Sequence, residues 1–268
     1  MAERALLRLV RVGKSFAERV VLRDISFRMQ QGEILSLIGP SGCGKTTILR
    51  MIAGLANPDT GTIERNHALN EKGRIGYVFQ DATLMPWASA EANVALPLIL
   101  QGLPSKEAHQ HANAMLAKLE LGDFACAAPH ELSGGMKMRV ALARALITNP
   151  SLILLDEPFA ALDEMTRHAL NDEMLKLVRA RGTSLVFVTH SVAEAAYLSD
   201  RVAVLSHRPG HVMAEFKMPW SCEQTPALRY EKRFTEETAR ISAALGRAMD
   251  DGNLVGAASE THVFRLRS

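Results

Sequence analysis

With 268 residues, of which 47% are hydrophobic and 22% charged, the chain has the make-up of a globular protein long enough for one large domain or a domain with an inserted subdomain. A net charge of +2 gives no electrostatic case for nucleic acid as a partner, and no apolar run approaches the ~20 residues that span a bilayer, so work at a membrane would need a partner to hold the chain there. The 3 cysteines, Cys43, Cys126 and Cys222, are odd in number and scattered, which fits reduced thiols of a cytosol rather than a disulfide framework.

The amino end, Met1-Ala2-Glu3-Arg4, leads into a strand-like segment rather than a signal peptide. From Leu6 to Val12 and from Val20 to Met29 apolar and polar residues roughly alternate, as in half-buried strands. Gly13-Lys14-Ser15-Phe16 lies between them. Phe16 reads either as a core residue at a strand end, the better-founded reading from the residue alone, or as an aromatic platform for a nucleotide base.

The apolar run Ile34–Ile38 predicts a strand, and Ile48–Ala53 predicts a helix ending near Ala53-Gly54. Between them stands Gly39-Pro40-Ser41-Gly42-Cys43-Gly44-Lys45-Thr46-Thr47, the phosphate-binding pattern G-x-x-x-x-G-K-[ST] in its required strand–loop–helix setting. The glycines admit backbone conformations that a Cβ would penalise and turn successive N–H groups inward. The helix start adds about half a positive charge at the mouth. Lys45 is then suited to neutralise β- and γ-phosphate oxygens, and the Thr46 hydroxyl to ligate Mg²⁺. Cys43 lies at a helix N-terminus where thiolates are stabilised, so a thiol reagent is expected to block nucleotide binding and the nucleotide to protect.

Asn57-Pro58-Asp59-Thr60-Gly61 predicts a turn, and Arg74–Phe79 a strand running into Gln80, at the edge where ligands of such sheets bind. Residues 84–132 carry no strand signal. There Ser105 is a candidate helix cap, and Ala108, Ala112, Met115, Leu116 and Leu119 recur at helical spacing. Trp87, beside Pro86, reads equally as a buried residue or as an exposed anchor for a partner. Leu132-Ser133-Gly134-Gly135-Met136 opens another helix with a hydroxyl and glycine amides, chemically a second anion cradle.

Ser151–Leu155 is an apolar run suited to a central parallel strand, and it ends in Asp156-Glu157-Pro158. Asp156 is placed to reach Mg²⁺ through water, and Glu157 to polarise an attacking water. Asp163 is an N-cap candidate for the next helix. Thr183–Thr189 predicts a strand ending in His190, on the same rim as Gln80 and Glu157. After Pro219 the composition changes: Phe234, Ile241, Leu245 and Met249 are placed to line one side of a helix, and Gly252–Ser268 is expected to be loosely ordered.

Up to about Met218 the chain resembles the ATP-binding subunit of ABC transporters. The resemblance rests on the phosphate loop Gly39–Thr47, Gln80 as the Q-loop, Leu132-Ser133-Gly134-Gly135 as the signature, Leu155-Asp156-Glu157-Pro158 as Walker B, Ala161-Leu162-Asp163 as the D-loop and His190 as the switch histidine. Leu84-Met85-Pro86-Trp87, Leu132–Met136 and Arg208-Pro209-Gly210 resemble, more narrowly, the nitrate, sulfonate and taurine import branch. Met136 departs from the family, which usually has glutamine after the signature glycines.

The resemblance implies an α/β P-loop NTPase fold. Residues 1–83 and 151–218 would form the ATP-binding core with an antiparallel β subdomain, 84–150 an inserted helical subdomain and 219–268 a partly helical tail. It further implies a homodimer that sandwiches two Mg·ATP head to tail, with Ser133, Gly134 and Gly135 of one copy facing the other's phosphate loop. Glu157 is then the general base, His190 holds the γ-phosphate, Gln80 senses Mg²⁺ and water, Asp163 links the sites and Phe16 stacks on adenine. Transmembrane permease subunits at the cytoplasmic face of the inner membrane would be direct partners, and a solute-binding protein an indirect one. A soluble ATP-driven switch on DNA or ribosomes is the competing reading; the long coiled coils, second cassette or basic faces such proteins carry are not found in this sequence.

Overall fold

The structure, a computed structural model, describes residues 5–69, 71, 73–220 and 223–260. In chain order the elements are β1 (Leu7–Phe16), β2 (Arg19–Met29), β3 (Ile34–Ile38), α1 (Lys45–Ile52), β4 (Thr60–Arg65), β5 (Ile75–Val78), α2 (Ala90–Leu100), α3 (Ser105–Lys118), α4 (Gly134–Leu146), β6 (Leu152–Asp156), α5 (Glu164–Arg181), β7 (Ser184–Val188), α6 (Val192–Leu198), β8 (Arg201–Leu205), β9 (Val212–Lys217) and α7 (Lys232–Glu260). The chain divides into two compact units.

The first unit comprises Arg65–Phe187 with Gln30–Glu33. Its β5 runs parallel to β6, Ile75 opposite Leu152 and Val78 opposite Leu155. Every residue of β6 and of β7 is buried, as a parallel strand covered on both faces requires, which accounts for apolar runs without alternation. Residues 84–150 hold α2, α3 and α4 with short 3₁₀ turns. The predicted face of α3 is correct: Ala108, Ala112, Met115, Leu116 and Leu119 are all buried. Ser105 is not its cap, however. The Pro104 carbonyl accepts the first helical hydrogen bond, from Ala108 N–H at 3.0 Å, so Ser105 already lies inside the helix.

The second unit comprises Leu7–Met29, Ile34–Glu64 and the described residues from Val188 on. β1 lies between β2 and β4, antiparallel to β2. β3 runs parallel to β8, and β8 antiparallel to β9. Gly13–Phe16, read as a connection, belongs to β1, whose pairing with β2 runs through bulges to Phe16 opposite Arg19. β4 begins at Thr60, inside the predicted turn. Gly61 has φ +76° there, and a Cβ would lie 2.2 Å from the Arg11 carbonyl oxygen, so its glycine marks close strand approach rather than a turn.

In the tail, Phe234, Ile241, Ala244 and Ala248 form the buried face of α7, while Leu245 is half-buried and Met249 exposed. A true 3.6-residue period carries the stripe through the alanines instead. The helix also continues through Gly252 to Glu260, where loose order was expected. Once a packed face has nucleated a helix, each further residue adds a hydrogen bond, and isolated glycines need not stop it. Residues 261–268 and Cys222 lie outside the described residues.

Candidate nucleotide site

In the second unit, buried β3 delivers the chain into the glycine loop. Gly42 and Gly44 take positive φ, +73° and +104°, and a Cβ on Gly44 would lie 2.4 Å from Leu22 Cδ2. Gly44 occupies the N-cap of α1 and offers no side-chain cap. Lys45 is only 7% exposed, and its ammonium donates to the Gly39 and Pro40 carbonyls at 2.8 and 3.0 Å. A buried cation held by main-chain carbonyls at an uncapped helix start is chemically suited to polyphosphate, because phosphate oxygens replace neutral acceptors with charged ones. The loop exposes Ser41, half-buries Pro40, Thr46 and Thr47, and encloses Cys43.

Cys43 overturns its expectation. The residue is 1% exposed, and burial pushes the thiol above its ordinary pKa, although the Lys45 charge and backbone N–H groups oppose this. Helix N-terminal position alone favours a thiolate; enclosure reverses the balance.

Phe16 also departs from the reading favoured by the residue alone: it is 53% exposed, not in the core. Lys14 Nζ lies 5.6 Å from its ring centroid and pairs with Asp59 at 2.6 Å; Asp59 also accepts the Ser15 N–H at 2.7 Å. The Lys14 hydrogen bond, followed by that from Ser15, holds the Asp59 carboxyl below its usual range. His190, exposed beyond β7, follows Thr189, whose hydroxyl donates to Glu194 at 2.5 Å and accepts from Ser191 N–H at 3.0 Å.

In the first unit, Asp156 at the end of β6 is 6% exposed, with the Tyr77 hydroxyl 3.3 Å from its Oδ2. Glu157 follows, half-buried, at φ +48°. A non-glycine residue there is uncommon and stores strain of about 1–3 kcal/mol, which concentrates at functional sites. Gln80 is exposed beyond β5, next to Phe79, whose ring stacks on Tyr77 at 4.3 Å between centroids. Among the described residues no group of 3 or more His, Cys, Asp or Glu is assembled to hold a metal by itself. The Asp156 carboxylate and the Thr46 hydroxyl are hard oxygen donors of the type Mg²⁺ takes.

Ser133 caps α4, accepting from Met136 N–H at 3.3 Å, and Asp163 caps α5, accepting from Thr166 N–H at 3.0 Å. The Thr166 hydrogen bonds keep the Asp163 carboxyl below its usual range. A Cβ on Gly135 would lie 3.0 Å from Thr166 Cγ2, and one on Gly134 3.8 Å from Leu162 Cδ2, so the signature glycines also let α4 approach the start of α5.

Trp87 is 82% exposed, so the buried reading falls. The segment around it is pinned by buried Asn93, whose side chain accepts from Met85 N–H at 2.7 Å and donates to the Met85, Ala88 and Ser89 carbonyls. The residues after Gln80 are held by Arg144, which donates to the Ala82 and Thr83 carbonyls at 3.0 and 2.9 Å; burial lowers its pKa. Sequence reasoning passed over Tyr77, Asn93 and Arg144, because none stands in a motif. The phosphate loop, Phe16 and His190 thus belong to one unit, and Gln80, Ser133, Asp156, Glu157 and Asp163 to the other.

Residues 22–160 match the family model described as ABC transporter. The chain is 41% identical over 263 residues to an aliphatic sulfonates import ATP-binding protein of Xanthomonas axonopodis pv. citri, covering 96% of this chain and 98% of that protein. It is likewise 41% identical over 210 residues to a taurine import ATP-binding protein of Jannaschia, covering 77% and 78%. Among solved structures it is similar to the ATP-binding cassette MJ0796, a dimer in a post-hydrolysis state with ADP and Pi, at TM-score 0.69 and 33% identity over 79% of this chain and 98% of that one. With its phosphate loop built on an α/β frame, the chain belongs to the ABC transporter family, as an ATP-binding cassette that hydrolyses ATP.

Proposed function

We propose that this chain is the motor subunit of an importer for small sulfonate-, taurine- or nitrate-like solutes, working as a homodimer closed around two ATP molecules. The observation that carries the hydrolytic part is Glu157, held half-buried at φ +48° directly after buried Asp156. The two carboxylates thus stand side by side at the end of β6, one buried and one partly open to solvent. Glu157 takes the proton of the attacking water, His190 holds the γ-phosphate, and Gln80 orients the water.

Residues 39–47 cradle the phosphates through their amides and Lys45, and Phe16 supports the adenine. Thr46, Asp156 and Gln80 would hold Mg²⁺, which supplies charge neutralisation at the β- and γ-phosphate oxygens when bound. Ser133, Gly134 and Gly135 of each copy complete the other's site, and Asp163 lies on the link between them. The uncapped α1 and the glycines of the loop support this reading, as does the dimeric state of the MJ0796 cassette.

Among the described residues no helix is long and apolar enough to cross a membrane. In this reading a permease holds the chain at the cytoplasmic face of the inner membrane, docking on the helical subdomain of residues 84–150 at Trp87. A large exposed indole set rigidly on a pinned turn is the kind of anchor interfaces favour. A periplasmic solute-binding protein contributes indirectly.

The test is Glu157→Gln. Light scattering of the purified variant with saturating Mg·ATP is expected to report a stable dimer and turnover reduced at least a hundredfold, with ATP affinity retained. A variant that stays monomeric, or one that turns over ATP at the wild-type rate, would refute the proposal.

A further inference from the structure

Arg208 reaches the phosphate loop. Its Nε and one terminal nitrogen lie 3.1 and 2.7 Å from a single acceptor, the Gly42 carbonyl oxygen. The turn that carries it, between β8 and β9, is braced on both sides. Ser206 N–H donates to the His211 carbonyl and His211 N–H to Ser206 Oγ, both at 2.9 Å. Gly210 N–H donates to the Val21 carbonyl at 2.8 Å, and its own carbonyl accepts from Arg23 N–H at 2.9 Å. Gly210 sits so near the loop that a Cβ there would lie 2.1 Å from the Cys43 carbonyl oxygen. The guanidinium is thus delivered by a strap tied to β2 and pressed against the loop it contacts.

The contacted atom matters for a geometric reason. The Gly42 carbonyl and the Cys43 N–H belong to one trans peptide plane and point in opposite directions. Gly42 is at φ +73°, where the missing Cβ leaves that plane without steric restraint. With the oxygen engaged by Arg208, the Cys43 N–H points the opposite way and donates to the Pro40 carbonyl at 3.3 Å, the acceptor that the Lys45 ammonium also reaches. We propose that Arg208 is a positioning residue for the nucleotide: by holding the Gly42 carbonyl it fixes the peptide whose Cys43 amide, like Lys45, rests on the Pro40 carbonyl until a phosphate oxygen replaces that acceptor, setting ATP affinity rather than the rate of hydrolysis. This rests on the reading of residues 39–47 as the phosphate cradle.

The experiment compares wild type, Arg208→Gln, Arg208→Lys and Lys45→Ala as purified full-length chains, measuring ATP Kd, KM and kcat together with the nucleotide-free melting midpoint. Losing a charge-assisted bond partly screened by solvent should raise Kd and KM for Arg208→Gln roughly tenfold. Its kcat at saturating ATP should stay within about twofold of wild type. Arg208→Lys, which keeps the charge and one donor, should fall between the two. Should Arg208→Gln fail to fold, Arg208→Lys carries the test, with a Kd about threefold above wild type expected. An unchanged Kd in the folded Arg208 variants beside a large loss in Lys45→Ala overturns the positioning role and leaves the cradle standing. A fall in kcat with KM unchanged overturns it as well. An unchanged Kd in Lys45→Ala overturns both, because the cradle itself would then be misassigned.

Discussion

Lys45→Ala puts a magnitude on the phosphate loop. Lys45 is 7% exposed, and its ammonium is bonded to the Gly39 and Pro40 carbonyls at 2.8 and 3.0 Å. If Lys45 serves phosphate as proposed, binding ATP exchanges these neutral acceptors for phosphate oxygens. One unit charge at about 4 Å in a partly desolvated site contributes roughly 4 kcal/mol. Giving up the two carbonyl bonds costs about 1 kcal/mol each. The difference, about 2 kcal/mol, is roughly thirtyfold in Kd for a single phosphate charge, and a second phosphate within reach raises it. Titration calorimetry at fixed ionic strength reads this directly, since salt screens part of the attraction. The nucleotide-free melting midpoint should hardly move, because the substitution removes a buried cation along with its bonds. A folded variant whose Kd lies within threefold of wild type would refute the assignment of Lys45 to phosphate.

Phe16→Ala should raise the KM for ATP by roughly five- to a hundredfold, the range of about 1–3 kcal/mol for one base–aromatic stack, with Phe16→Tyr retaining affinity. Because Phe16 is exposed, thermal stability should change little; an unaltered KM would return it to a passive surface role. Cys43, enclosed and with its pKa raised, should be alkylated far more slowly at neutral pH than exposed Cys126, and faster only as pH climbs past the ordinary thiol range. Since the folded pKa is the higher, the stability contributed by the neutral thiol is intact below the unfolded value and declines as pH rises through the folded one. Equal labelling of the two cysteines at neutral pH would contradict the burial.

Where the chemistry sits in contiguous residues, it could be read along the chain. The phosphate loop needs a buried strand, glycines and a helix start in succession, and residues 34–52 supply all three in order. The Asp156-Glu157 tip is likewise announced by the apolar run before it, and the Ser133 and Asp163 caps by residue type at a helix start. The errors fall where one residue admits two local roles. Gly61 serves a turn or a close strand approach equally well, and only the Arg11 carbonyl 2.2 Å from its missing Cβ decides. Ser105 is a good cap by type, but Pro104 had already started the helix.

The pattern of residue types determined by itself a strand–loop–helix suited to a nucleotide, because strand period, glycine placement and helix caps are local physics; the cassette fold came from the resemblance of its motifs to a family. Burial and long-range hydrogen bonds were decided by tertiary structure alone. Cys43 becomes an enclosed thiol because the rest of the chain packs over it, and Phe16 stays exposed because β1 ends at the surface. Arg208 becomes a neighbour of Gly42 across 166 positions of sequence. Desolvation and reach depend on what the rest of the chain brings alongside, and no window of neighbouring residues contains that information.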